Sequence, residues 1–133
     1  MNNPYDVYKN NSVFTASKEE LTLMLYDGAL RFCNKAEIYL EKKEYDKASE
    51  MLMKVQAIIQ EFQLTLNRKY EISGQLATLY DYLYNRTMEA NTKKDLEILA
   101  EVREHLRSLR DTWKQAMKQS RMSPATSAIS AQG

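Results

Sequence analysis

Glu101 and His105 stand four residues apart, a spacing that puts a carboxylate and an imidazole on one face of a helix, where they could hold a metal or move a proton. A di-metal site in a helical bundle needs more: a Glu-x-x-His pair on each of two helices and a further Glu on each of the others. His105 is the sole histidine, so that ligand set is missing and His105 reads as a solvated surface residue. Cys33 is the sole cysteine and lies at the edge of a helical stripe, with no neighbour in sequence that would lower its pKa. It reads as a small core hydrophobe, excludes an internal disulfide and fits a reducing cytoplasm. No Gly-rich phosphate loop is present. These inventories argue against an enzyme, and neither a cofactor nor a metal is expected.

Arg103, Arg107, Arg110, Lys114, Lys118 and Arg121 line one side of a helical pattern, and such a stripe can follow phosphates. The stronger reading is local: cations late in a helix complement its dipole, and Glu101, Glu104 and Asp111 are near enough to pair. Lys and Arg total 19 against 18 Asp and Glu, so a net charge of +1 gives no general pull toward nucleic acid. No apolar run approaches the roughly 20 residues of a membrane span, so no membrane insertion is expected.

With catalysis set aside, the apolar pattern carries the information. Ser17 followed by Glu20 is a capping box, in which each side chain accepts from the other's backbone N–H, so a helix begins at residue 17 or 18. On it Leu21, Leu25, Gly28, Ala29, Phe32, Ala36 and Tyr39 share one face at i, i+3, i+4 spacing and are expected inside. Leu23, Tyr26 and Leu30 fall roughly opposite, where a plain surface helix would carry charge. Either the helix is buried on both sides, or something outside the bundle covers that second face.

The rest of the chain supplies three more helices. Helix two, about 45–67, has Ala48, Leu52, Val55, Ile59, Phe62 and Leu66 as its stripe, with Met51 and Ile58 beside it. Helix three, about 73–91, turns Leu76, Leu79, Tyr80, Leu83 and Ala90 inward, with Ala77, Tyr84 and Met88 widening the stripe and Tyr82 pointing elsewhere. Asn91 or Thr92 is the expected cap of helix four, whose seam is Leu96, Leu99, Val102, Leu106, Leu109, Trp113 and Met117. Three glycines and two prolines leave little material for turns, so the fold class is all-α: an antiparallel four-helix up-down bundle with a short N-terminal helical arm. Residues 1–16 form the arm, in which Asn3 can cap a short helix starting at Pro4 and Tyr5 and Tyr8 share a face; it either detaches as a lid or stays docked. Residues 17–121 form the bundle, and 122–133 a disordered tail with too little hydrophobic content to order itself.

Nine tyrosines and seven methionines remain. Tyr gives large contact area with a polar tip and Met adapts to irregular apolar partners, which suits a bundle that docks amphipathic segments in grooves. The alternative use of a spare apolar face is a permanent dimer.

The run Thr15 to Leu30 (TASKEELTLMLYDGAL), then Leu79-Tyr80-Asp81-Tyr82, Glu89-Ala90-Asn91 and Leu109-Arg110-Asp111-Thr112-Trp113-Lys114, resembles the flagellin-specific export chaperones of the FliS family over residues 4 to about 118. Lys18 stands where proline is common in that family. The resemblance implies a cytoplasmic helical bundle that binds the disordered C-terminal segment of flagellin, prevents premature polymerisation and aids delivery to the flagellar type III export apparatus. It also implies contacts with export-gate and flagellar regulatory proteins, and an N-terminal segment able to cover a client site. The residues expected to line client grooves are Tyr5, Tyr8, Leu23, Tyr26, Leu30, Ile58, Tyr80, Tyr82 and Tyr84.

Overall fold

The computed structural model describes residues 15–120 and 131–132. Four helices follow one another: α1 (Lys18–Glu41), α2 (Tyr45–Thr65), α3 (Ser73–Lys93) and α4 (Leu96–Ser120). Helix α1 packs on α2 and α4, and α3 packs on the same two, which is the square of an antiparallel up-down bundle. The expected arm, with Tyr5 and Tyr8, lies outside the described residues.

The ends of the helices follow local chemistry. The capping box forms: the Glu20 N–H donates to Ser17 Oγ at 3.1 Å, and the Ser17 N–H donates to Glu20 Oε1 at 3.5 Å. Both tight connections close with a lysine in the left-handed region, Lys43 at φ 60° and Lys94 at φ 52°. After α1, the N–H groups of Lys43 and Glu44 donate to the carbonyls of Leu40 and Tyr39; after α3, those of Lys94 and Asp95 donate to Asn91 and Ala90. Each pair is a Schellman motif, which satisfies carbonyls that the helix itself leaves without partners. The cap of α4 is Asp95, whose Oδ1 accepts from the N–H groups of Glu97 at 2.8 Å and Ile98 at 3.1 Å. Asn91 and Thr92, expected to cap it, belong instead to α3, which runs a turn further than its apolar stripe.

The stripe of α2 is placed as its spacing predicts, with Ala48, Leu52, Val55, Ile59, Phe62 and Leu66 all buried. The seam of α4 is buried at Leu99, Val102, Leu106 and Trp113, while Leu96, in its first turn, is exposed. The sidedness of α1 departs from expectation only in part, for Gly28, Ala29 and Ala36 are buried as their spacing predicts. Its buried side chains are Tyr26, Ala29, Leu30, Cys33, Ala36 and Leu40, a repeat of threes and fours, whereas Leu21 is exposed and Leu25, Phe32 and Tyr39 are partly buried. Small side chains at 29, 33 and 36 let a neighbouring helix approach closely, and the large ones at 26, 30 and 40 fill the space between. Cys33 is fully buried, and loss of hydration pushes its thiol up to about 12, as an inert core residue requires.

Candidate functional site

At the start of α1 and the end of α2 the bundle does not close. Leu21, Met24 and Leu25 of α1 and Phe62 and Thr65 of α2 line a cleft of about 600 Å³, with Lys18, Glu61 and Gln132 also on its walls. Leu21 and Met24 remain 36% and 41% exposed, so the apolar wall is open to solvent. This is the surplus surface expected of α1, carried on the face opposite to the expected one.

Beneath the cleft lies an aromatic floor. The ring of Tyr26 sits 4.5 Å from that of Phe62 and 6.5 Å from that of Trp113, and the rings of Phe62 and Tyr80 stack at 5.6 Å. Trp113 ties α4 to the start of α1 by donating its indole N–H to the Glu19 carbonyl at 3.0 Å. The Tyr26 and Tyr80 hydroxyls meet at 3.2 Å. Tyr80 spends its hydrogen on Gln132 Oε1 at 2.6 Å, so in the bond between the two phenols Tyr26 is the donor. Burial raises both phenol pKa values, that of Tyr80 to about 12.

Gln132 completes the network. Its Nε2 donates to the Phe62 carbonyl at 3.1 Å and to Thr65 Oγ1 at 2.8 Å, and the N–H of Asn67 donates to the Ala131 carbonyl at 2.6 Å. Ala131 is fully buried and Gln132 nearly so. These two residues fall in the stretch expected to be disordered; what holds them is not hydrophobic content but unpaired groups at the end of α2, which composition does not register.

The expected groove residues scatter. Tyr26, Leu30 and Tyr80 are buried and belong to the core, not to an outward face, because the hydroxyl pair and the small-residue seam turn that side of α1 inward. Leu23, Ile58 and Tyr84 are partly buried against the core, and Tyr82 is 42% exposed. Tyr82 does not line the cleft; it stands on α3 beside α4, where its hydroxyl donates to Glu101. The same carboxylate takes the Arg86 guanidinium at 2.9 and 2.6 Å, and these bonds hold its pKa below the usual range. His105 lies 3.8 Å from Glu101 with its ring at 78° to that of Tyr82, and among the described residues no group of three or more acidic, His or Cys side chains could hold a metal. The arginines of α4 are drawn into ion pairs: Arg103 with Glu37, Arg107 with Glu104, and Arg110 with Asp111 and Asp27.

Sequence reading missed Leu21, Met24 and Leu25 as the open wall, and missed Gln132 altogether. The available signal was Met24: a flexible thioether beside two leucines in the first turns of a capped helix is the composition of an adaptable contact surface.

Fold and cleft together define a small antiparallel helical bundle with an open, apolar, methionine-bearing flank over an aromatic floor. The family described as "Flagellar protein FliS" matches residues 1–120. The flagellar secretion chaperone FliS of Bacillus subtilis is 46% identical over 119 residues, covering 90% of each chain, and that of Salmonella typhimurium is 32% identical over 108 residues, covering 79% of this chain and 80% of its own. A solved structure described as a flagellar chaperone from bacteria shares the fold with a TM-score of 0.72 at 20% identity, covering 86% of this chain and 95% of its own. The chain belongs to the FliS family of flagellar secretion chaperones. Among the described residues no helix is long and apolar enough to cross a membrane.

Proposed function

We propose that this chaperone binds the C-terminal segment of flagellin in the cytoplasm, keeps it from polymerising and aids its delivery to the flagellar type III export apparatus. The observation that carries this reading is the α1–α2 cleft, whose Leu21, Met24 and Leu25 wall offers open apolar surface at helical spacing. An amphipathic client helix laid there would cover that wall with anchors at i, i+3 or i+4. Leu23 and Ile58 extend the apolar surface along α1 and α2, Tyr82 and Tyr84 offer a second contact on α3, Tyr26 and Tyr80 act from beneath by fixing the floor, and Leu30 packs in the core. Tyr5 and Tyr8 would cover the cleft as a lid. Ordering a disordered client costs several kcal/mol, so the interface must be large and spread over many modest contacts.

Calorimetric titration of the full chain with a flagellin C-terminal fragment tests the reading. One-to-one saturation with a negative heat-capacity change is expected, since apolar surface is buried. No binding at micromolar concentrations overturns it, and sedimentation of the free chain as a stable dimer would assign the open wall to a second copy instead.

A further inference from the structure

Gln132 does not merely rest on the cleft. Its carboxamide is fully matched: the Tyr80 hydroxyl donates to its oxygen, and its nitrogen donates to the Phe62 carbonyl and the Thr65 hydroxyl. A buried place that presents one donor to an oxygen and two acceptors to a nitrogen is complementary to a neutral primary amide and to little else. A carboxylate there would face the Phe62 carbonyl, and an apolar side chain would take the donor from that buried carbonyl and leave Tyr80 with the Tyr26 hydroxyl as its remaining partner. The Ala131 carbonyl, accepting from Asn67, adds a backbone contact one residue before. Ala131 itself has no exposed surface, so the position before the amide admits only a small side chain.

Gln132 also lies between two spaces: the open cleft on one side, and on the other a void of about 30 Å³ bounded by Tyr26, Leu76, Tyr80, Leu109 and Trp113. Whatever occupies the amide socket therefore forms part of the wall of the cleft and of the void next to the aromatic floor. We propose that this socket is a recognition site for a small residue followed by Gln, and that Ala131–Gln132 fills it as an intramolecular plug which a client segment displaces. This rests on the reading of the cleft as the client site. The plug lowers apparent client affinity by the fraction of time it is seated.

The test uses the full chain as wild type, Gln132→Ala and Ala131→Arg, titrated with the flagellin C-terminal fragment while Trp113, which borders the void, reports the plug by its emission. Arginine has no room at position 131, so Ala131→Arg unseats the segment. Both variants should shift Trp113 emission in the free chain and bind the fragment more tightly, by about 3- to 30-fold. Wild-type affinity in both variants despite the emission shift, weaker binding in both, or an unchanged emission overturns the plug while leaving the client reading intact. Failure of all three chains to bind the fragment overturns the client reading, and the plug with it.

Discussion

The Tyr26 hydroxyl donates to the Tyr80 hydroxyl across the bundle at 3.2 Å, and Tyr80 passes its own hydrogen to Gln132. This one-way chain joins α1, α3 and a residue more than fifty positions further along, and it makes the two tyrosines unequal. Tyr80→Phe strips Tyr26 of its acceptor and Gln132 of its donor, leaving two buried polar groups unpaired. Tyr26→Phe removes a donor but leaves the Tyr80 bond to Gln132 in place. Urea unfolding should place Tyr80→Phe about 2–3 kcal/mol below wild type and Tyr26→Phe about 1 kcal/mol below. Equal losses would mean that the chain does not run in this direction.

Position 26 and position 24 should separate stability from binding. Tyr26 is 2% exposed and packed against Phe62, so Tyr26→Asp buries a carboxylate among aromatic rings and should unfold the bundle or lower its Tm sharply. Met24→Glu, on the open wall, should leave helicity and Tm near wild type and weaken binding of the flagellin fragment by about 1–2 kcal/mol. Circular dichroism with calorimetry reads both. A folded Tyr26→Asp chain would contradict the core assignment.

Two backbone substitutions should stabilise the protein for opposite reasons. A Cβ on Gly28 would lie 3.6 Å from Arg31 Nη2 and 3.7 Å from Ile58 Cδ1, ordinary contacts in mid-helix, so Gly28→Ala should add about 0.5–1 kcal/mol. Lys43 holds φ 60° without a glycine's freedom, so Lys43→Gly should relieve strain and add a similar amount. Thermal melts check the pair; a loss from Gly28→Ala would show that α1 and α2 cannot admit a methyl group there.

The start of α4 depends on Asp95. Asp95→Ala should cost about 1 kcal/mol, because the N–H groups of Glu97 and Ile98 lose their acceptor, while Asp95→Asn keeps a side-chain oxygen and should cost much less. Chemical denaturation of both variants distinguishes the cap from a general charge effect.

Acid should weaken the fold through Glu37. Hydrogen bonding from Arg103 holds the Glu37 carboxyl below its ordinary value of 4.5. A folded pKa below the unfolded one means that the stabilisation is complete well above pH 4.5 and drains as pH falls through the depressed value. Glu101 and Glu89, lowered by their own partners, act in the same direction. Arg103→Gln should reduce stability at neutral pH and flatten the decline below pH 4.5, which unfolding curves across that range will reveal.

Helix by helix, local chemistry made most of the fold legible. The Ser17–Glu20 box begins α1 where its spacing places it, and the period of Ala48, Leu52, Val55, Ile59 and Phe62 needs no partner to be read as one buried stripe. The cap of α4 was misplaced because Asn91, Thr92 and Asp95 are all acceptable caps in composition; what selects Asp95 is the Schellman turn at Lys94, which lets α3 run through the first two.

The cleft was half legible. Excess apolar residues on α1 announce a surface to be covered, but both faces of that helix are greasy, and periodicity assigns equal claims to Leu21 with Leu25 and to Tyr26 with Leu30. By itself the sequence determined that four helices form, where α1 begins, and that α1 carries more apolar surface than one core uses, since caps and periods depend on residues within a few turns. Only the tertiary structure decided which face turns inward: Tyr26 needs the hydroxyl of Tyr80 on another helix, and Gln132 needs the carbonyl at the end of α2, and partners so distant in the chain leave no mark on local spacing.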